Sequence, residues 1–269
     1  MRTVGIVGKN NISRAVGSYL RSSNFDVHYA DSSSVEHDSK RSLNYFVADK
    51  DLLISAERKT NHVLAELCDD VGRTYFDLGN DKSVIDKSHA KNSFIMPCCG
   101  VSPGITDIIA EDMIKGFDSV DSVKIRTGHL PDYLISESDY QNNLVFINGV
   151  MYESYTTSDD ILNSKDIFDY KHIRYPGQQN ETINFGQDSF IILVNVNGMK
   201  NNKLVNQYYF KKIKGDKNFN AQERSTASSI CAIVLMYCIN ELSGNGIIKP
   251  SDVNFDLLQA NKFGQVFKK

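Results

Sequence analysis

Apolar positions in the first part of the chain fall into short runs separated by stretches of helical spacing. Thr3 to Val7 is a compact apolar run closed by Gly8, and Ile12, Ala15, Val16, Tyr19 and Leu20 then recur as one face of a helix. A further run, Phe25 to Ala30, ends at Asp31. Downstream the pattern repeats: Leu52 to Ala56 reads as a buried strand, Asn61 to Val71 as a helix with Val63, Leu64 and Leu67 inward, and Thr74 to Leu78 as a strand. Phe94, Ile95 and Met96 make another short strand. After it, Ser102 and Pro103 read as N-cap and first residue of a helix that carries Ile105, Ile108, Ile109 and Met113 inward and Asp107, Glu111 and Asp112 outward. Strands alternating with helices predict an α/β domain with a parallel, Rossmann-like sheet.

From Ser122 the period changes to two. Val123, Ile125 and Thr127 alternate, Leu144 to Ile147 leads through Asn148-Gly149 to Val150, Met151 and Tyr152, and Phe190 to Val196 and Lys203 to Ile213 flank a Gly/Asn-rich turn. These predict two hairpins in a separate, mostly antiparallel sheet, with the polar stretch Thr156 to Asp169 looping over its surface. The run ICAIVLMYCI at 230–239 is apolar on every face, so its helix must be buried; Gly244, Gly246 and Pro250 stop it.

In a parallel sheet the carboxyl ends of the strands share one edge, and that edge is where ligands bind. Gly8, Asp31, Ser55, Ala56, Glu57, Gly100 and Ser102 all fall on it. The opening β-α-β unit is the form of a dinucleotide site, in which Asp31 accepts hydrogen bonds from ribose hydroxyls and repels a 2′-phosphate, so that NAD is preferred over NADP. The loop GKNNIS at 8–13 keeps the first glycine of G-x-G-x-x-G but places Asn10 and Ser13 at the second and third. Gly8, Asn10, Asn11 and Ile12 are therefore the candidate phosphate contacts. The helix starts after Ser102 and around Thr226 offer two further sets of N–H groups to an anion, or are plain turns. About twenty mostly polar residues separate Asp31 from Asp51, fewer than a full Rossmann half requires.

In the second half, Lys171, His172 and Arg174 lie near the end of a strand closed by Pro176-Gly177. Arg174 carries the planar fork that binds a carboxylate by two parallel hydrogen bonds, although a strand-end arginine also suits a structural ion pair. His172 and His129 are candidate acid/base groups because imidazole titrates near neutral pH; each equally suits a structural hydrogen bond. Lys171 stands with them as a catalytic candidate, and Glu153 can hold a substrate ammonium or remain solvated.

Composition narrows the classes. The 30 basic and 33 acidic residues leave a formal charge of −3, with no basic cluster to draw nucleic acid or an anionic membrane. VGIVG begins at Val4 with no leader pattern before it, and no apolar run reaches the roughly 20 residues that span a bilayer. A cytoplasmic protein is expected. The five cysteines, Cys68, Cys98, Cys99, Cys231 and Cys238, sit in apolar segments without CxxC or CxxH spacing, which points to reduced structural thiols and to no metal site.

Several stretches resemble the saccharopine dehydrogenase-like family, which includes saccharopine reductases, L-lysine 6-dehydrogenases and carboxynorspermidine synthases. They are DLLISA at 51–56, RTYFDLGND at 73–81, CGVSPGITDIIA at 99–110, GHLP at 128–131, YKHIRYPG at 170–177 and AQERSTA at 221–227, in the family's order. RYPG with GVSPG is most similar to the lysine-dehydrogenase branch, whereas the saccharopine-reductase branch usually has Asp in place of Ser102. The resemblance implies a dinucleotide-binding domain over 1–117, an inserted α+β domain over 118–220 that builds the substrate site and homodimer contacts, and a C-terminal helix and tail over 221–269. It implies hydride transfer between a nicotinamide cofactor and an amine-bearing carbon of an amino acid or derived imine. Substrate would be held by Ser102, Glu153, Arg174 and Thr226, with hydride transfer between the domains. The family more often has Thr at the place of His172 and His at that of Gln178, and its members usually run longer. Two other readings remain open: a cofactor-free descendant that binds an amino-acid-like ligand or a protein partner, and a different enzyme reusing the same pocket.

Overall fold

The computed structural model describes residues 1–31, 40–57, 61–79, 84, 92–131, 152–155, 167–174 and 188–269. In chain order its principal elements are β1 (Thr3–Val7), α1 (Asn11–Arg21), β2 (Asp26–Ala30), α2 (Lys40–Ala48), β3 (Leu52–Ser55), α3 (Asn61–Asp70), β4 (Thr74–Asp77), β5 (Phe94–Met96), α4 (Ile105–Ile114), β6 (Ser119–Pro131), β7 (Tyr152–Tyr155), β8 (Phe168–Arg174), β9 (Asp188–Lys200), β10 (Lys203–Lys214), α5 (Ala221–Cys238), β11 (Gly246–Ile247) and α6 (Phe255–Ala260). The chain divides into one unit of Met1–Ile108 with Thr226–Lys268 and a second of Ile109–Ser225.

The first unit is built on a six-stranded parallel sheet in the order β11-β5-β4-β3-β1-β2. Every residue of β3, β4 and β5 is buried, because helices cover both faces of a parallel sheet and leave no side for polar alternation. Pairing sets Val7 opposite Ala30 and Ser55, and Ser55 opposite Asp77, so these residues form one row. Gly8, Asp31, Ala56 and Leu78 lie one step beyond it, at the carboxyl edge. The chain leaves β1 for β2 on one side and returns to β3 on the other, which makes the end of β1 a topological switch point.

Three elements depart from the sequence reading. α2, with Leu43 and Val47 buried, occupies the short stretch before Asp51 that carried no assignment. α3 buries Asn61, Leu64, Ala65 and Cys68 and packs Leu67 against the same core, so the inward face read at Leu64 and Leu67 is broader than expected and Val63 stands at its partly exposed margin. Gly246, read as a helix stop, opens β11, which adds to the sheet edge beside β5. α5 is buried as its all-round apolar pattern requires: Ile230, Cys231, Ala232, Ile233, Val234 and Met236 are inaccessible, and Tyr237 packs its ring on Phe76 and Phe94. The tail returns to the same unit, with Phe263 stacked on Tyr19 at 5.6 Å and Lys262 Nζ donating to Ser22 O. No helix among the described residues is long and apolar enough to cross a membrane.

The second unit holds a sheet in the order β10-β9-β6-β8-β7, in which only the β6–β8 pair is parallel. β9 and β10 form the expected hairpin, turning at Asn201 and Asn202 with φ of 52° and 58°, the left-handed pair that a two-residue turn matching the sheet twist demands. The hairpin read at 144–152 lies outside the described residues except for Tyr152, and of the 156–169 loop only 167–169 is described, with Phe168 already in β8.

All five cysteines are free. Burial pushes the thiols of Cys68, Cys98, Cys99 and Cys231 far up, and the Cys99 thiol donates to Met96 O. Cys238 is only partly buried; burial raises it too, while the Arg2 charge acts to lower it. Native protein treated with a thiol-specific chromogenic disulfide at pH 8 should therefore react first at Cys238, with the other four thiols released only on unfolding. Rapid modification of Cys98 or Cys99 in native protein would contradict this.

Candidate functional site

At the switch point, Gly8 has φ +127° and donates its N–H to Ala30 O at 3.0 Å, a backbone shape that suits glycine. Asn10 follows with φ −94° and ψ 175°, extended backbone open to any residue. Its side chain does not fill the space that the missing second glycine would leave. Instead Oδ1 accepts from Ser13 N at 2.8 Å and Nδ2 donates to Ala56 O at 2.8 Å, so Asn10 caps α1 and ties the loop to β3. Among the described residues nothing accepts from the N–H groups of Asn11 and Ile12, and the first turn of α1 has no acidic residue. This helix start is electropositive and open to an anion.

The other two helix starts are closed. α4 begins at Ile105, two residues later than read, because residues 101–103 form a turn and Gly104 at φ +134° is its first cap. Gly104 N donates to Asp107 Oδ2 at 2.7 Å, Ile105 N to Gly100 O and Thr106 N to Val101 O. Asp107, read as outward, is buried and neutralises the dipole end itself. α5 begins at Ala221, so Thr226 lies in its second turn rather than at its start. Its cap is doubly acidic: Asn220 and Glu223 exchange hydrogen bonds of 2.8 and 3.0 Å, and Ala221 N donates to Asp188 Oδ2 at 2.5 Å. Both starts already carry carboxylates of the chain itself.

Along the carboxyl edge, Ser55 is inaccessible and its hydroxyl donates to Asn61 Oδ1 at 2.7 Å, while its carbonyl accepts from Leu78 N. Gly100 is buried, with its carbonyl accepting from Ser229 Oγ and Ile105 N. Both are buried and hydrogen-bonded within the edge. Ala56 contributes only the carbonyl that anchors Asn10. Ser102 is half-buried and accessible. Asp77 is fully buried, accepting from Gly79 N at 2.8 Å; burial, with this carboxylate beside them, pushes the pKa values of Tyr75, Cys98 and Cys99 up, so those groups stay neutral. Two charges do face the loop. Asp31 is paired with Lys9, Oδ2 to Nζ 2.7 Å, and Glu57 places Oε1 2.9 Å from where a Cβ on Gly8 would stand. The sequence places Glu57 on this edge without a binding role but does not place Lys9 there, since only the pairing of β1 with β2 brings it beside Asp31.

In the second unit the register separates the catalytic candidates. Thr127 is opposite His172 and Ile192, and His129 opposite Phe190, so His129 and His172 share a face with Thr127; Lys171, opposite Arg126, points to the other. His172 Nδ1 is 2.9 Å from Thr127 Oγ1. His129 Nε2 is 2.6 Å from Oδ2 of Asp188, a fully buried carboxylate that also caps α5. Lys171 Nζ lies 4.0 Å from Asp169, whose carboxylate is held by Arg126 at 2.7 Å. Arg174 closes β8 opposite Tyr152, and Glu153 pairs with Ile173.

No protein-family model matches the chain, and no curated protein matches its sequence. Solved structures do match. A DAP dehydrogenase from C. glutamicum, in complex with DAP, has a TM-score of 0.56 and 14% identity over 98% of each chain. An engineered D-amino acid dehydrogenase bound to NADP+ has a TM-score of 0.57 and 13% identity, again over 98% of each. What the chain shares with them is the fold: a Rossmann-like parallel sheet and a second, mostly antiparallel one.

Proposed function

We propose that the chain is a nicotinamide-dependent oxidoreductase acting at the amine-bearing carbon of an amino acid or of an imine derived from one. The observation that carries this reading is the β1-Gly8-α1 passage, where a helix start whose Asn11 and Ile12 N–H groups find no acceptor among the described residues meets a glycine with positive φ at the switch point of a parallel sheet. The N–H groups of Asn11 and Ile12 would hold the pyrophosphate, and Asp31 would accept from a ribose hydroxyl. Once bound, the nicotinamide supplies the hydride acceptor or donor. The matched solved structures, one bound to NADP+ and one to DAP, are consistent with such chemistry. The finer assignment, a saccharopine or lysine dehydrogenase type working as a homodimer, rests on the ordered motifs alone.

The second unit would bind the substrate. Removing hydride from a C–N centre also releases the amine proton, and His129 and His172, each oriented through one ring nitrogen, are the groups suited to take it. Arg174 remains the candidate for the substrate carboxylate.

Glu57 favours a second reading, a descendant that has lost its cofactor, because its carboxylate stands beside Gly8 where a pyrophosphate needs positive potential. Calorimetric titration with NAD+, NADH and NADP+ separates the two. Under the first reading a dinucleotide binds, and Glu57→Gln tightens it by roughly three- to tenfold through removal of a like charge. Absence of binding at millimolar dinucleotide to both wild type and Glu57→Gln would overturn the first and leave a cofactor-free descendant or a different enzyme reusing the pocket.

A further inference from the structure

We infer that Lys9 is a specificity residue of the dinucleotide site, presenting an ammonium to an adenosine 2′-phosphate so that the site takes NADP+ at least as well as NAD+. The inference rests on the dinucleotide reading above and revises what Asp31 alone implies. A lone carboxylate at the tip of β2 rejects a 2′-phosphate by like-charge repulsion. Here it is not alone. Lys9 follows Gly8 at the end of β1, Asp31 follows Ala30 at the end of β2, and the pairing of Val7 with Ala30 brings the two residues side by side. Lys9 Nζ lies 2.7 Å from Asp31 Oδ2, so the pair is neutral where the ribose would lie.

The pair is also loose. Its side chains are 68% and 38% exposed, and an ion pair in such surroundings contributes little, so the pairing with Asp31 is a weak hold on the ammonium against a stronger partner. A 2′-phosphate carries more charge than a carboxylate and presents more acceptor oxygens. With the phosphate on Lys9, Asp31 still has an acceptor for the neighbouring 3′-hydroxyl. Both halves of the ribose are then satisfied, and NAD+ keeps Asp31 as before.

The experiment is calorimetric titration of the full chain with NAD+, NADP+ and adenosine 2′,5′-bisphosphate, on wild type, Lys9→Gln and Asp31→Asn. Wild type should bind NADP+ no more weakly than NAD+. Lys9→Gln should weaken NADP+ and the bisphosphate by roughly tenfold or more while changing NAD+ by less than about threefold, the difference expected of one charge-assisted hydrogen bond. Asp31→Asn should weaken NAD+ and leave NADP+ unchanged or tighter. Binding of NAD+ without NADP+, or equal loss of both in Lys9→Gln, overturns the inference and leaves the dinucleotide reading standing. Failure of every dinucleotide to bind wild type sinks that reading, and the inference with it.

Discussion

Replacing Gly104 with alanine should cost the fold about 3 kcal/mol or more, whereas the same change at Gly100, four residues away in the same turn, should cost about 1 kcal/mol or less. A Cβ on Gly104 would collide with Gly100 O and reach 2.6 Å from Cys98 O, and the residue sits at φ +134°, where a side chain is strained whatever the space. The obstacles are pinned backbone atoms. Gly100 O accepts from Ile105 N at 3.0 Å and from Ser229 Oγ at 2.8 Å, so it cannot retreat without breaking the cap of α4 and the tie to α5. A Cβ on Gly100 would meet only Pro103 O at 3.4 Å and Leu78 O at 3.6 Å, close to ordinary contact. Denaturant unfolding of the two variants checks this. Similar midpoints would mean that the turn is softer than its hydrogen bonds imply.

That turn also shows what the sequence hides. The strand Phe94–Met96 and the apolar stripe Ile105, Ile108, Ile109 are plain in the residue order, because burial enforces their periods. The position of the cap is not. Ser102-Pro103 reads as N-cap and first residue by local preference, but Asp107 reaches back to Gly104 N and the chain closes its helix start two residues later. Much the same happens at α5, whose Ala221 N is capped by Asp188 from 33 residues away. Local rules find a helix and miscount which of its N–H groups are left. The parallel sheet, its edge and the separate antiparallel sheet were all legible, since repeated buried runs and period-two alternation are redundant over many residues. Asp31 and Glu57 were legible as edge residues, but the partner of Asp31 was not, because Lys9 reaches it only through the pairing of β1 with β2. Asn10, named from its place in the loop as a phosphate contact, spends its side chain on the cap of α1.

The pair of His129 with the fully buried Asp188 should show strong coupling. Asp188 is wholly inaccessible; its Oδ2 accepts from His129 Nε2 and from Ala221 N, and its own carbonyl accepts from Gly215 N. Asp188→Ala strands a buried N–H at the start of α5 and removes the imidazole's partner, with an expected loss of about 3–5 kcal/mol. His129→Ala should cost a similar amount for the opposite reason, since it leaves a buried carboxylate with one neutral donor. If the penalties are those of orphaned partners, removing both side chains removes the unpaired imidazole and the unpaired carboxylate and leaves only the Ala221 N–H without its acceptor. The double variant should then be no less stable than the worse single one, and the cycle should give a coupling of about 2–3 kcal/mol. Additive losses would show instead that each residue contributes by packing alone. His129 would then lose its claim as a base oriented by a carboxylate, leaving His172, held by Thr127, as the ring positioned for proton transfer.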